Sequence, residues 1–355
     1  MKYETLIRRA LFKLPPETAH ELAIAALRIG IGLPSTDESS FNGFDPVSRF
    51  GLRFSNPLGV AAGFDKNGMV VDQLAHLGFG SVEVGTVTYL PQPGNPKPRL
   101  FRLPDDYALI NRLGFNNEGA HAIAARLSFL KRDCVVGVNI GRNKEVENEH
   151  AIENYLNAFN IVHEVADYVA INVSSPNTPN LRDLQSSENL ELLVGQLQAR
   201  NVELGRKPLL IKIAPDLNDE DVESIVDLCL RLDVDGIIAT NTTISRNNLK
   251  TRNIEELVQG GLSGRPLASR SNEVISQIYR HSSGKLPIVG VGGVFTAQDA
   301  FDKIAAGASL VQAYTGFVYS GPSFARKLVS GLADVLARRG FNSLDEAVGS
   351  AVRVV

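Results

Sequence analysis

A lysine inside an otherwise apolar strand is costly to leave unpaired, and Lys212, in LLIKIAPD, is such a residue. It needs an anionic or strongly polar partner, either a structural carboxylate or a bound group that gains negative charge during a reaction. A flavin meets the second description, because hydride arrival leaves charge near N1 and O2 of its ring and a fixed cation there favours the reduced form. Four asparagine-rich segments accompany this lysine: NRLGFNN from Asn111, Asn139, NVSSPNTPN from Asn172 to Asn180, and Asn241-Thr242-Thr243. An asparagine amide offers both a donor and acceptors, so several converging on one pocket suit a planar ligand with imide and carboxylate edges. Any one of them is as easily a turn former or a cap, and the argument rests on the set. Glycines in GGLSG at 260–264, including Gly264, and Gly292 and Gly293 in VGVGG would let backbone N–H groups approach an anion closely, with a helix N-terminus behind them. Tight turns need glycine too, and the anion could belong to a sugar phosphate, a nucleotide or FMN.

The elements that must carry these residues are short apolar runs at 58–62, 81–85, 135–140, 168–173, 209–213, 236–240, 287–291 and 310–314. Their β-branched content as a set, without alternation, suits parallel strands buried on both faces, and each is followed by a stretch of helical periodicity. About eight βα units predict an α/β fold of the (β/α)8 TIM barrel type, whose sites lie at the C-terminal ends of the strands. Those ends carry Lys66, Thr86, Asn139, Asn172 with Ser175, Lys212, Asn241 with Thr242, Gly292 with Gly293, and Tyr314 with Thr315. Such a ring of amides, lysines and hydroxyls exceeds what a structural barrel needs. A doubly wound open sheet would also alternate β and α, but it would want a dominant glycine fingerprint near the first strand. Here the glycine-rich turns come late, where barrels bind phosphate.

Composition narrows the partners. The chain has 355 residues, 44% of them apolar, and a formal net charge of −3, so a large core is available and nucleic acid is not an expected partner. Its two cysteines, Cys134 and Cys229, sit in apolar contexts without metal or disulfide spacing. No metal site is expected. Neither a cleavable signal pattern nor a run of ~20 apolar residues occurs, which predicts a cytosolic or peripheral protein. Residues 1–45 read differently from the rest. Tyr3, Leu6, Ile7, Ala10 and Leu11 fall on one helical face, a second amphipathic segment runs from about Glu17 to Ile29, and Pro15-Pro16 separates them. Lys2, Arg8, Arg9, Lys13 and Arg28 decorate the pair, as on helices that lie in an anionic membrane surface without spanning it. A plain helical hairpin packed on the barrel is the other reading. The predicted organisation is therefore an extension at 1–45, a catalytic barrel at 46–340 and a tail at 341–355.

The segments AAGFDKNG at 61–68, EVGTVT at 83–88, PQPGNPKPRLFRL at 91–103, INRLGFNN at 110–117, INVSSPNTPNLR at 171–182, IKIAPDL at 211–217, IATNTT at 238–243, GGLSGRPL at 260–267, VGVGG at 289–293 and VQAYTGF at 311–317 together resemble the motif set of dihydroorotate dehydrogenases. The resemblance runs in order over nearly the whole chain. It implies oxidation of (S)-dihydroorotate to orotate on FMN, within pyrimidine biosynthesis. By resemblance, Ala62, Gly63, Phe64, Asp65, Lys66, Thr86, Asn139, Asn172, Lys212, Thr240, Gly264, Gly293, Tyr314 and Thr315 would bind FMN. Lys66, Asn111, Arg112, Leu113, Gly114, Phe115, Asn172, Asn177, Asn241 and Thr242 would hold the substrate. Ser175 would be the catalytic base that takes the C5 proton, through a water or hydroxyl relay because a neutral hydroxyl is a poor base. Asn180 stands where the family often has glycine, and asparagine tolerates left-handed backbone.

The family's soluble class is known for cysteine at the base position. Serine at 175, together with the extension at 1–45, resembles the quinone-reducing class, in which two helices form an apolar mouth for membrane quinone and His20 and Arg102 match tunnel positions. That class implies a monomer, and the lack of a presequence pattern and of a spanning anchor fits an enzyme held peripherally on the cytoplasmic side of a bacterial membrane more than a mitochondrial one. Competing readings are a soluble FMN enzyme reducing fumarate or NAD, and a phosphate-binding barrel without catalysis, which would have no use for Lys66, Ser175 and Lys212 together.

Overall fold

The computed structural model describes residues 3–34, 44–131, 133–247, 249–252 and 259–352. Lys2, positions 35–43 of the predicted extension and the last three residues of the tail lie outside them. Eight parallel strands close into a barrel in the order β3 (Leu58–Val60), β4 (Ser81–Val87), β7 (Val135–Ile140), β8 (Tyr168–Asn172), β9 (Leu209–Ile213), β10 (Gly236–Ala239), β12 (Ile288–Val291) and β13 (Leu310–Ala313). These are the eight runs expected from the sequence, and the (β/α)8 barrel is the fold. Their residues are buried throughout, because helices cover the outer face and side chains fill the interior.

A hairpin of β1 (Val47–Arg49) and β2 (Leu52–Phe54) precedes the first barrel strand. Phe54 from this hairpin packs with Val135, Tyr168, Leu210, Ile238 and Leu310 of the barrel interior, so it plugs the end opposite the strand C-termini. The other end is roofed by an antiparallel sheet in the order β5 (Leu100–Leu103), β6 (Ala108–Asn111) and β11 (Gly261–Gly264). The segment GGLSG, expected as a turn, is thus a strand; pairing with β6 overrides the low strand propensity of glycine. The pairing also demands glycine, since a Cβ on Gly264 would lie 2.3 Å from the Tyr107 carbonyl oxygen.

Two helical segments, at Tyr3–Leu11 and Pro16–Arg28, form the N-terminal extension. Pro16 opens the second helix at the position where a missing N–H costs nothing. Tyr3 anchors the first, donating to the Val318 carbonyl at 2.9 Å and lying against Gly321. Arg99 holds the second. Its guanidinium bonds Glu17 at 2.7 Å and the carbonyls of Pro93 and Asn95. Burial pushes the Glu17 carboxyl up, but the Arg99 bond together with the positive charges of Arg99, Lys97 and Lys66 outweighs it and holds the group below the usual range. No helix among the described residues is long and apolar enough to cross a membrane. At the far terminus Leu344 and Ala347 are buried, and the backbone of Gly349 and Ala351 bonds the end of helix Ala297–Ala305.

Candidate active site

At the C-terminal mouth of the barrel, under the β5-β6-β11 roof, a cavity gathers residues from Ala61 to Gly316. It is lined by Lys66 after β3, Thr86 of β4, Asn172 and Ser175 at the end of β8, Lys212 of β9, Thr240 to Thr242 after β10, Gly292 and Gly293 after β12, and Tyr314 and Thr315 after β13. Ala62 and Gly63, and Asn111, Leu113, Gly114, Phe115, Asn177 and Gly264 from the roof and its loops, add to the wall. Lys66, Ser175 and Lys212 therefore face one common space.

Lys212 finds a partner beneath this space. Its Nζ lies 3.3 Å from Oε1 of Glu83 on β4, and Glu83 is fully buried. The same carboxylate accepts from Asn139 at 2.9 Å, Tyr168 at 3.1 Å and Gln312 at 2.8 Å, so each oxygen receives two donors. Tyr168 reaches it by lying across Gly137, where any Cβ would collide with its ring. From this floor a chain of amides climbs to the rim: Asn139 accepts from Thr86 at 2.6 Å, Asn172 donates to Thr86 at 2.9 Å, and Asn241 donates to Asn172 at 3.2 Å. Nearer the roof, Asn177 donates to Asn111 at 3.1 Å. Such bonding fixes which way each amide points. Glu83→Ala would leave the Lys212 ammonium buried without a counter-charge, a loss expected to cost about 3–5 kcal/mol and to lower the urea midpoint correspondingly; an unchanged midpoint would refute the pairing.

Ser175 is buried, and its Oγ accepts from the Asn177 backbone N–H at 3.2 Å. Its loop is braced by Arg182, which bonds the Ser174 carbonyl at 3.1 Å and Asp216 at 3.0 Å. Asn180 has φ +55°, the left-handed geometry anticipated for an asparagine there. Three residues beyond Ser175, the Thr178 hydroxyl is buried with no protein partner. Lys66 is partly enclosed, and burial pushes its ammonium down to about 8 despite the nearby Glu17 carboxylate.

Some residues expected in the site are placed elsewhere. Asn139 stands behind Thr86 and does not line the cavity. Asp65 turns into the protein, accepting the backbone N–H groups of Met69 and Val70 at 2.8 Å each. Arg112 bonds the Pro98 carbonyl and stacks over Phe101. Phe64 faces a second chamber, apolar and open between the N-terminal helices and the barrel, lined by Ala19, His20, Ala23, Phe64, Arg102 and Phe317 among others. Leu100, Leu109 and Tyr314 belong to the walls of both spaces. His20 meets the Phe64 ring edge-on at 5.2 Å, and burial, with Lys66 nearby, pushes its imidazole down to about 3, so it is neutral. Arg102 is tied to the carbonyls of Phe12 at 2.8 Å and Leu14 at 2.7 Å and lies over the Phe12 ring, which closes the end of the first helix.

The family model of dihydroorotate dehydrogenase matches residues 46–336. The chain belongs to the dihydroorotate dehydrogenase family. It is 49% identical over 359 residues to the dihydroorotate dehydrogenase (quinone) of Mycolicibacterium smegmatis, covering 99% of this chain and 100% of that protein. With the protein of the same name from Mycobacterium tuberculosis strain H37Rv the identity is 47%, over 98% of both chains. A ligand-free crystal structure of DHODH from Eimeria tenella superposes with a TM-score of 0.89 at 39% identity, covering 95% of this chain and 99% of that one. A complex of the Eimeria enzyme with ferulenol gives 0.87 at 38%, covering 94% and 95%.

Within this dehydrogenase fold, three residues of the floor escaped sequence reasoning: Glu83, Tyr168 and Gln312. The signal was present for Glu83, since an ionisable residue in a strand that a barrel buries on both faces demands a partner as much as Lys212 does. Two such residues of opposite sign name each other.

Proposed function

We propose that the protein oxidises (S)-dihydroorotate to orotate on bound FMN and passes the electrons to a membrane quinone, in pyrimidine nucleotide biosynthesis. One observation carries the reading: a polar cavity holding Lys66, Ser175 and Lys212 shares walls with an apolar chamber under the N-terminal helices. The kinship with proteins called dihydroorotate dehydrogenase (quinone) supports it.

The residues present fit FMN. Gln312 is held by its amide nitrogen to Glu83, and its buried carbonyl, at the cavity wall, has no protein partner, so a heterocycle with ring N–H groups would satisfy it. Lys212 offers a fixed cation at the same floor. At the other end Gly264, Gly293 and the helix beginning at Thr315, whose hydroxyl meets Ser263 at 2.9 Å, present backbone N–H groups suited to a phosphate. Ala62, Gly63, Lys66, Thr86, Asn172, Thr240 and Tyr314 would flank the ring, with Asn139 orienting Thr86. When bound, FMN supplies a two-electron acceptor for the hydride of C6 and a donor for the quinone.

The protein's own groups do the rest. Asn111, Asn177, Asn172 and Asn241 hold the pyrimidine by paired donors and acceptors, and the Lys66 ammonium faces its carboxylate. Thr242 and the segment Leu113 to Phe115 close the pocket, which excludes water from the reacting carbons. Ser175 removes the C5 proton, and the partnerless Thr178 hydroxyl is the group a relay out of the pocket would use. Residues 1–45 form the quinone entrance and rest peripherally on the cytoplasmic face of the membrane, residues 46–340 the catalytic barrel, and the enzyme acts as a monomer. The reading predicts a yellow protein that bleaches on anaerobic mixing with dihydroorotate and regains its colour with a quinone much faster than with fumarate or NAD. A colourless protein, or reoxidation by fumarate at the same rate, would overturn it.

A further inference from the structure

Lys303, on helix Ala297–Ala305 behind β12, is 1% exposed. Its Nζ donates to Ser271 Oγ and to Asn272 Oδ1, both at 2.9 Å and both on the neighbouring helix Ala268–His281. No described carboxylate lies within ion-pair distance; Asp299 and Asp302 of its own helix act on it only at longer range, and burial pushes the ammonium down to about 7. A buried cation with neutral partners is costly, and nothing in the barrel's packing calls for one.

What it touches gives the reason. Ser271 has a single proton, which it donates to the Val291 carbonyl at 2.7 Å. Because Lys303 occupies the hydroxyl's acceptor side, that proton is committed to Val291, and each bond strengthens the next. Val291 ends β12, and Gly292 and Gly293 follow at φ +128° and +71°. That turn rests on the opening of helix Ala268–His281: a Cβ on Gly292 would lie 3.1 Å from Ser271 Cβ, and one on Gly293 only 2.4 Å from Ala268 Cβ. The position of this helix therefore decides where the N–H groups of the turn point.

We propose that Lys303 is a positioning residue for the phosphate end of the flavin site: through Ser271 it locks the Gly292-Gly293 turn against helix Ala268–His281. The inference rests on the FMN reading above.

Apoprotein of wild type, Lys303→Met and Ser271→Ala, titrated with FMN and with riboflavin while flavin fluorescence is followed, tests it. Riboflavin has the same ring and no phosphate. Lys303→Met is expected to weaken FMN binding about tenfold or more and riboflavin binding less than about twofold. Ser271→Ala, which keeps the ammonium, is expected to shift the ratio in the same direction by about threefold, and it carries the test if Lys303→Met does not fold. Equal losses for both flavins would mean general loosening of the barrel and would overturn the proposal, as would unchanged FMN affinity in both variants. A wild type that binds neither flavin overturns the FMN reading and this inference together; a wild type that prefers FMN, with variants that keep the preference, overturns the inference alone.

Discussion

Replacing Ser175 by alanine is expected to slow reduction of the bound flavin by dihydroorotate about a hundredfold or more, with FMN content unchanged. The expectation follows from position. Ser175 is 5% exposed, lines the polar cavity, and sits on a loop that Arg182 and Asp216 brace through the Ser174 carbonyl, so the bond its own hydroxyl accepts from the Asn177 N–H is not the loop's sole support. Loss of one oxygen should therefore leave the cavity intact. The competing base is Lys66, which also lines the cavity and which burial pushes down to about 8, so that part of it is neutral at pH values near that number. The two candidates separate cleanly. If Lys66 took the proton, Ser175→Ala would reduce the flavin at nearly the wild-type rate, and the rate would rise with pH through about 8 as the amine lost its proton. If Ser175 does, Ser175→Cys should recover part of the rate, since a thiol ionises far more readily than a serine hydroxyl. Stopped-flow bleaching of the flavin under anaerobic conditions reads all three outcomes, and a near-normal rate for Ser175→Ala removes the serine from the chemistry.

The barrel was legible because strands buried on both faces leave contiguous β-branched runs, and all eight runs became barrel strands. The roof was not. β5, β6 and β11 are four residues each, covered unequally on their two faces, and β11 is half glycine, so neither length nor period marks them. β5 and β6 form a short local hairpin, but β11 exists because it pairs with β6 across 150 residues of sequence, a tertiary fact with no local trace. The same contrast holds in the site. Residues at strand ends, such as Thr86, Asn172 and Lys212, went where a barrel sends them. Residues taken from the loops between were sorted by geometry that the sequence does not carry: Lys66 faces the cavity, while its neighbours Asp65 and Phe64 turn into the protein and toward the second chamber. Asp65 caps the turn that follows it, a role that any Asp before a tight turn can take. Glu83 was legible in principle and went unread because its strand was judged by its apolar neighbours.

Ala23→Trp is expected to cut quinone-dependent turnover about a hundredfold while leaving anaerobic bleaching by dihydroorotate near its wild-type rate. Ala19, Ala23 and Ala26 give helix Pro16–Arg28 a face of small side chains toward the apolar chamber, and that face is what keeps the chamber open. Larger apolar residues there would be better for packing, and their omission is what the proposed quinone entrance requires. The chamber offers little besides hydrocarbon: His20 is held neutral, and the Arg102 guanidinium is spent on the Phe12 and Leu14 carbonyls. An apolar, membrane-soluble oxidant suits such walls, and fumarate or a dinucleotide does not. An indole at position 23 would fill the space without disturbing the Arg99–Glu17 bond that fastens the helix, so the hairpin should stay in place. Because Leu100, Leu109 and Tyr314 separate the chamber from the polar cavity, the first half-reaction should not sense the plug. Turnover with quinone that persists in Ala23→Trp would mean that electrons leave the flavin by another face of the protein, and the N-terminal helices would then be a membrane contact without a part in electron transfer.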